Sequence, residues 1–493
     1  MSLAQEVPDF LAVQAALRPA DIAMEVVREG RQISYAQLSR RADAAAHLLR
    51  RHGIDDGQRV AVLCRNRPEF FELLFACARA GAILVPLNWR MTPGELDQVL
   101  ADCTPALLIC GSEDEALVRA LASSPSVLFL DRDYEAGLES GPAAPLRRSH
   151  MAGDIWYLMY TSGTTGVPKG VIYTFGMALA NYVNLANAVG LTSADVTLNY
   201  LPLFHTAGIN LHTLPTLIAG GSVLVLDRFD PEQVVQLLES ERISAFFGVP
   251  TIYKDLLDHP RFAAAPLDRV RHWTSGGAPL PARISERFRM LGLRLCNGMG
   301  MTETGPIAFL QQPANAWEQM GSVGKPQLLC QVRIVDTHGR EAEVGEIGEI
   351  MFAGPNVTPG YWNRPPIAGW LASGDAGYRD ADGFFHVAGR RSDMFVSGGE
   401  NVWLHEVESV LADHPDVDEA IVTPRADPRW GEVGHALLKA SRAGTLNLRD
   451  VQAFCQGKLA AYKIPKTFEQ VDELPRTASG KLKRLARIAE EAA

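Results

Sequence analysis

The chain has 493 residues, 47% of them hydrophobic and 21% charged, which is the balance of a folded, water-facing protein with more than one core. Its net charge of −10 gives no global attraction for nucleic acid or anionic membranes, so a phosphate-bearing ligand would have to be drawn by local donors. Seven scattered cysteines (Cys64, Cys77, Cys103, Cys110, Cys296, Cys330 and Cys455), with no C-x-x-C pair, argue against a disulfide framework or a zinc site.

The start, "MSLAQEVPDF", carries early acids and no basic-then-apolar signal pattern, which predicts a cytoplasmic location. "ISYAQLSRRADAAAHLLRRHG" predicts a helix: Ser34 and Gln37 have capping-box spacing, Leu38, Ala42, Ala45 and Leu49 recur at helical intervals, and Gly53 ends it. A strand follows at Val60, a helix from Pro68, a strand at Ala82 ("AILVPL"), another helix, and a strand at Ala106 ("ALLIC"). The apolar stretch "LFACARAGAILVPLNW" is cut by Arg79, which leaves no run of about 20 residues able to span a bilayer. This alternation implies a largely parallel sheet with helices on its faces.

The rhythm resumes with a strand in "GSVLVLD" (Gly221 to Asp227), a helix opened by Pro231, and a strand in "ISAFFGVP" at Ile243. From about Val323 to Gly360 shorter strand-like pieces and glycine turns, such as "GEIGEIMFAGP", predict a small β-rich subdomain. After Gly389 the chain becomes more charged and opens a compact final segment, with a domain boundary placed near Arg391–Ser392. No repeat period stands out, which excludes a solenoid.

The stretch "YTSGTTGVPKG", Tyr160 to Gly170, buries little and has the composition of a phosphate cradle. Consecutive glycines and hydroxyls present concave backbone N–H groups, the Ser and Thr hydroxyls add donors, and Lys169 adds a mobile positive charge. The nucleoside-triphosphatase loop G-x-x-x-x-G-K-[ST] is excluded, because Pro168 precedes Lys169 and Gly170 follows it.

Four further motifs appear in order: "NGMGMTET" (Asn297 to Thr304), "SGD" (Ser373 to Asp375), "GRRSDMFVSGGENV" (Gly389 to Val402) and "LPRTASGKLKR" (Leu474 to Arg484). With the first loop they make the chain resemble, over nearly its whole length, the adenylate-forming acyl-CoA synthetases. The resemblance and the strand–helix rhythm together imply an α/β fold. Residues 1–391 would form a large N-terminal ATP- and acid-binding domain of two α/β subdomains with parallel-rich sheets plus the small β-rich subdomain. Residues 392–493 would form a small α+β mobile C-terminal domain.

The resemblance also implies the chemistry. A carboxylate attacks the α-phosphate of ATP to give an acyl-adenylate and pyrophosphate, and a thiol then displaces AMP. Such an enzyme mainly has to position anions and neutralise the charge that develops in transfer. By resemblance, Thr161, Ser162, Gly163, Thr164, Thr165, Gly166 and Lys169 hold the departing phosphates. Thr302 donates to the α-phosphate, and Glu303 is the Mg²⁺ ligand. Gly276, Gly277, Ala278 and Pro279 line the adenine with Asn297, Gly298 and Met299, where the family usually has an aromatic ring in place of Met299. Asp375 accepts from the ribose, Arg390 reaches ribose or phosphate, and Lys481 clamps the reacting carboxylate and phosphate in one domain arrangement only.

His205, in "LPLFHTAG", follows an apolar run read as a strand, and by resemblance is a positioning group where the acyl pocket meets the thiol tunnel. Thr206, Ala207, Gly277, Gly300, Pro306 and Ile307 complete the acyl pocket. Gly398, Gly399 and Trp430 favour coenzyme A as the thiol. Ser392 stands at the family's hinge, where Asp or Lys is usual, and Leu404 stands where proline is common. Together with a shortened "RPPIAGW", they imply altered hinge kinetics with the chemistry retained. The chain resembles most the bacterial ligases for hydroxycinnamic acids such as ferulate. A medium-chain fatty acyl ligase and an adenylation enzyme loading a carrier-protein thiol remain alternatives. The implied partners are ATP, Mg²⁺, coenzyme A and a small carboxylic acid, with no nucleic acid and no membrane span.

Overall fold

The structure, a computed structural model, describes residues 5–122, 125–138, 146–162, 168–336, 338–390, 393–397, 400–441 and 444–476. The first sheet is six-stranded, in the order Pro168–Thr174, Ile155–Ser162, Ile83–Pro86, Arg59–Leu63, Leu107–Cys110 and Ser126–Phe129. It is parallel except for its edge hairpin, Ile155–Ser162 against Pro168–Thr174. The second sheet has four strands, Val196–Asn199, Ser222–Val225, Ile22–Val26 and Arg31–Ser34, with only the last antiparallel to its neighbour. A third sheet runs parallel through Ala245–Gly248, His272–Ser275 and Leu295–Met301, then turns antiparallel at Gly305–Leu310 and Lys325–Pro326.

Local sequence explains the helices that cover these sheets. The helix Tyr35–Arg51 starts at Ser34, whose hydroxyl accepts from Gln37 N while the Gln37 side chain accepts from Ser34 N, and Gly53 leaves it at φ +75°. Leu38, Ala42, Ala45 and Leu49 are buried on its inner face, as their spacing predicts. Pro68 opens the helix Pro68–Ala80, and Gly81 ends it in the left-handed region. Arg79, the residue that cuts the longest apolar stretch, is itself buried. Its guanidinium pairs with Asp9 at 2.7 Å and Asp43 at 2.9 Å and donates to Ser39 O at 2.6 Å, so the charge is compensated inside the core.

The β-rich part is an antiparallel four-stranded sheet of Gln331–Val335, Gly348–Ala353, Leu371–Arg379 and Phe385–Arg390, reaching further along the chain than Gly360. The C-terminal part has its own sheet (Glu400–Trp403, Met394–Ser397, Gly431–Ala440, Val417–Asp427 and Thr467–Gln470) and its own apolar core around Val407, Leu411, Val422 and Leu438. Leu404 is buried in that core at the start of the helix Leu404–Ala412. The expected boundary, Arg391–Ser392, lies outside the described residues.

One expectation fails. The apolar run before His205 is no strand: the strand ends at Asn199, and Leu201–Phe204 forms a turn in which Pro202 O accepts from His205 N at 3.1 Å. Pro202 has no N–H for a ladder and favours this break. The seven cysteines are all buried and free. Among the described residues no helix is long and apolar enough to cross a membrane.

Candidate active site

The first motif occupies the edge hairpin of the first sheet. Thr161 and Lys169 face each other across it, and Ser162 pairs with Pro168. Gly163, Thr164, Thr165 and Gly166 lie outside the described residues. The Lys169 ammonium stands 5.7 Å from the centroid of the Tyr361 ring, within cation–π range.

Tyr361 joins this hairpin to the second motif. Its hydroxyl donates to Glu303 Oε1 at 2.9 Å. Burial, and then the Glu303 charge, raise the Tyr361 pKa, so the hydroxyl keeps its proton and remains a donor. Glu303 is 8% exposed, and no described residue is recorded as a partner of Oε2. The segment around Tyr361 also braces the turn through its backbone. Thr358 N donates to Glu303 O at 2.8 Å, Asn356 Nδ2 donates to Thr304 O at 2.8 Å, and Trp362 N donates to Gly170 O at 2.7 Å.

Thr302 begins the short turn Thr302–Thr304, and a buried polar chain supports it from behind. Tyr173 OH donates to Thr302 O at 2.6 Å and pairs with Thr206 Oγ1 at 2.6 Å. Asn210 Nδ2 donates to Thr206 Oγ1 at 3.2 Å, and Tyr157 OH donates to Asn210 Oδ1 at 2.6 Å. The Tyr157 and Tyr173 rings stack at 4.8 Å, stiffening the link between the first motif's strands and the turn. Thr206 thus bridges the Thr302 turn and the segment carrying His205 and Ala207.

The glycines of the third sheet permit close backbone approach. A Cβ on Gly276 would lie 2.9 Å from Gly298 O, one on Gly298 2.8 Å from Phe309 O, and one on Gly300 2.3 Å from Pro306. Gly277 adopts φ +77°. Gly276 follows the strand His272–Ser275 directly, and Gly277, Ala278 and Pro279 are exposed, forming an open strip beyond the carboxyl ends of parallel strands. Ser275 Oγ and Asn297 Oδ1 are buried beside that strip with no hydrogen-bond partner, although Asn297 Nδ2 donates to Ser322 O at 3.0 Å. A nucleotide base with polar edges fits such a strip and such orphaned acceptors. Met299 is half-buried and leans on the core around Phe309 and Phe352.

Ala207 and Ile307 belong to one apolar cluster with Leu185, Leu211, Phe247 and Cys296, and Gly300 and Pro306 flank Ile307 on the adjoining hairpin. His205 is half-buried with its ring 4.6 Å from that of Phe204. Asp375, 6% exposed, pairs with Arg390 Nε at 2.8 Å across neighbouring strands, and Arg390 also donates to Ser373 O at 3.0 Å. These two form a group of their own on the β-rich sheet. Trp430 is exposed at the turn between Val417–Asp427 and Gly431–Ala440, flanked by Arg429 and Lys466. Among the described residues no contact joins it to another candidate. Ser392, Gly398, Gly399 and Lys481 lie outside the described residues.

Magnesium is the metal implied at the second motif. It binds through one or two carboxylates together with water and phosphate oxygens. One braced, nearly buried carboxylate beside a hydroxyl-rich turn is a donor set that fits it. Tyr361, Tyr173 and Asn210 are the supporting residues that no sequence motif singles out.

The chain belongs to the AMP-binding enzyme family, matching its main part over residues 11–362 and its C-terminal domain over residues 406–481. Among its relatives, a feruloyl-CoA synthase of an Amycolatopsis species is 40% identical over 93% of this chain and 94% of that protein. An indoleacetate–CoA ligase of Aromatoleum aromaticum is 37% identical over 97% of each chain. Among solved structures, the o-succinylbenzoate coenzyme A synthetase of Bacillus subtilis in complex with ATP and magnesium superposes with a TM-score of 0.88 at 33% identity, over 97% of this chain and 98% of that one. Within the family the protein is an AMP-forming acyl-CoA synthetase.

Proposed function

We propose that the enzyme uses ATP to adenylate an aromatic carboxylic acid of the hydroxycinnamic type and passes the acyl group to coenzyme A. The observation that carries this reading is the contact series Lys169–Tyr361–Glu303 together with Tyr173–Thr302, which sets a cation, a carboxylate and a hydroxyl around one hairpin and one turn. Phosphoryl-group chemistry needs those three functions fixed before reaction, because its transition state is stabilised by position and charge.

In the first half-reaction an oxygen of the substrate carboxylate bonds to the α-phosphorus of ATP while the bond to the β-phosphate breaks, and pyrophosphate departs. Lys169, Thr161 and the loop through Gly166 hold the departing phosphates, and the Thr302 hydroxyl donates to the α-phosphate. Tyr361 fixes the Glu303 carboxylate through Oε1, and that carboxylate would hold a magnesium ion, which would supply neutralising charge for the phosphate oxygens. Ser275 and Asn297 meet the base edge, Asp375 accepts from the ribose hydroxyls, and Arg390 orients Asp375. Lys481 steadies the carboxyl and phosphate oxygens. In the second half-reaction the sulfur of coenzyme A bonds to the acyl carbon, AMP leaves, and the thiol proton passes to solvent. Gly398, Gly399 and Trp430 are the residues we assign to that thiol's approach.

Relatives named for feruloyl and indoleacetate substrates, and the apolar walls around Ala207 and Ile307, support an aromatic acid. The test is AMP and pyrophosphate release against a panel of hydroxycinnamic, benzoic and medium-chain fatty acids, with and without coenzyme A. Free aryl-CoA formed without any carrier protein is the expected result. ADP as product, a preference for fatty acids, or strict need for a carrier thiol would overturn the corresponding part.

A further inference from the structure

Between the Thr206 segment and the strand Ala245–Gly248 lies a recess of about 10 Å³, whose walls include Tyr200, Ala207, Leu211, His212, Thr213 and Phe247. That is room for roughly one hydroxyl or one water. Most polar groups around it are already engaged. Asn199 Nδ2 donates to Gly208 O at 2.9 Å and to Thr213 Oγ1 at 2.8 Å, Thr213 Oγ1 donates to Gly208 O at 3.1 Å, and Tyr200 OH donates to Phe247 O. Asn199 Oδ1 accepts from Asn66 at 2.9 Å. His212 differs: it is 4% exposed, and its Nε2 is buried with no hydrogen-bond partner.

We propose that His212 is a specificity-determining residue, whose Nε2 pairs with a ring hydroxyl at the end of the acid remote from its carboxyl group. The proposal rests on the aromatic-acid reading above and names the group by which such an acid is chosen. A buried imidazole nitrogen left unpaired is costly, and a ligand hydroxyl relieves that cost. The surrounding wall is apolar: Ala207, Leu211 and Phe247 share one cluster with Ile307, and the His212 ring meets Phe247 edge to face. Such a wall suits a ring and leaves one polar contact to choose between rings.

His205 and His212 flank the wide helical turn Ala207–Leu211. Burial lowers the His212 pKa to about 4, so the ring is neutral at pH 7 and offers one donor and one acceptor nitrogen. A hydroxyl, which both donates and accepts, can pair with Nε2 in either tautomer.

The test compares kcat/KM for 4-hydroxycinnamate and for cinnamate, measured by pyrophosphate release. The expected wild-type ratio favours the hydroxylated acid about 10-fold or more, and His212→Leu brings it close to one by lowering the hydroxy acid alone. His212→Gln, which restores a hydrogen-bonding side chain, should recover part of the ratio. A wild-type ratio near one overturns the assignment without any variant, and so does a folded His212→Leu enzyme that keeps the wild-type ratio. Failure of the wild type to activate either acid while it turns over fatty acids overturns the aromatic reading itself, a different result from a flat ratio between two active aromatic substrates.

Discussion

Glu303 is a carboxylate held almost out of water, and the Tyr361 hydroxyl is what the structure gives it in return. Removing that hydroxyl leaves the carboxylate in place but lets it turn, so Tyr361→Phe should weaken magnesium use more than folding. We expect a roughly 10-fold fall in adenylation kcat/KM and a higher magnesium concentration for half-maximal pyrophosphate exchange, at a cost of about 1–3 kcal/mol in stability. An unchanged magnesium dependence would remove Tyr361 from the site. His212 makes a second prediction. Its folded pKa of about 4 lies below the ordinary 6.5, chiefly through burial, with His272 lowering it further and Asp195 opposing. The unfolded chain therefore binds the extra proton between those values. Stability present above pH 6.5 is lost on acidification, by on the order of 2 kcal/mol at pH 5. His212→Leu should show a smaller drop in melting temperature between pH 7.5 and pH 5 than the wild type, and an equal drop would contradict the assignment. Glu303 and Thr302 stand out in the sequence because they sit inside a contiguous motif. Tyr361 does not, because it meets Glu303 from 58 residues away and a tyrosine alone carries no signature.

The turn that carries Thr302 and Glu303 is set by its glycines. The strand Leu295–Met301 returns as Gly305–Leu310, and at Gly300 the two backbones come so close that any Cβ would lie 2.3 Å from Pro306. Gly300→Ala should therefore push the hairpin apart, at about 1–3 kcal/mol, and displace both motif residues. A fall of about 100-fold in adenylation with a modest loss in melting temperature is the expected pattern, since a 1 Å misplacement can cost that much. Full activity in the variant would mean that the turn tolerates displacement and that the motif acts in some other geometry. Elements with local determinants are plain in the sequence: the Ser34–Gln37 cap, the left-handed Gly53, and the apolar strands of the parallel sheets all form where their residues require. The segment before His205 is misleading because Leu201, Leu203 and Phe204 are apolar for tertiary reasons: each packs inward from a turn that Pro202 imposes. The polar chain from Tyr157 to Thr302 is equally invisible, since its members lie on separate elements and meet only after the sheets and helices have packed.

Among the described residues the C-terminal part meets the large domain where the helix Leu404–Ala412 lies beside the strand Phe385–Arg390 and at polar contacts further along. Arg283 donates to Val417 O at 3.0 Å and Asp418 O at 3.1 Å, and Lys254 pairs with Asp418. The Lys254–Asp418 pair is partly solvated, with the lysine side chain 40% exposed, and such pairs contribute about 0–1 kcal/mol each. Polar contacts of this kind can be exchanged for others at little cost, which agrees with our proposal that residues 392–493 form a mobile domain. Lys481 belongs to that domain, so its ammonium would serve the adenylation half-reaction only when the domain presents it, and coenzyme A would be served by a different presentation. Lys481→Ala should accordingly suppress acid-dependent pyrophosphate exchange by about 100-fold or more, while transfer from a supplied acyl-adenylate to coenzyme A stays within a few-fold of wild type. Arg283→Ala leaves every proposed catalytic group in place and removes only the docking contact. It should change the ratio of the two half-reaction rates with both domains still folded, as followed by melting and by single-turnover kinetics of each half. Equal losses in both halves for Lys481→Ala would show that the lysine acts on something common to both steps. An unchanged ratio for Arg283→Ala would show that this contact has no part in choosing between them.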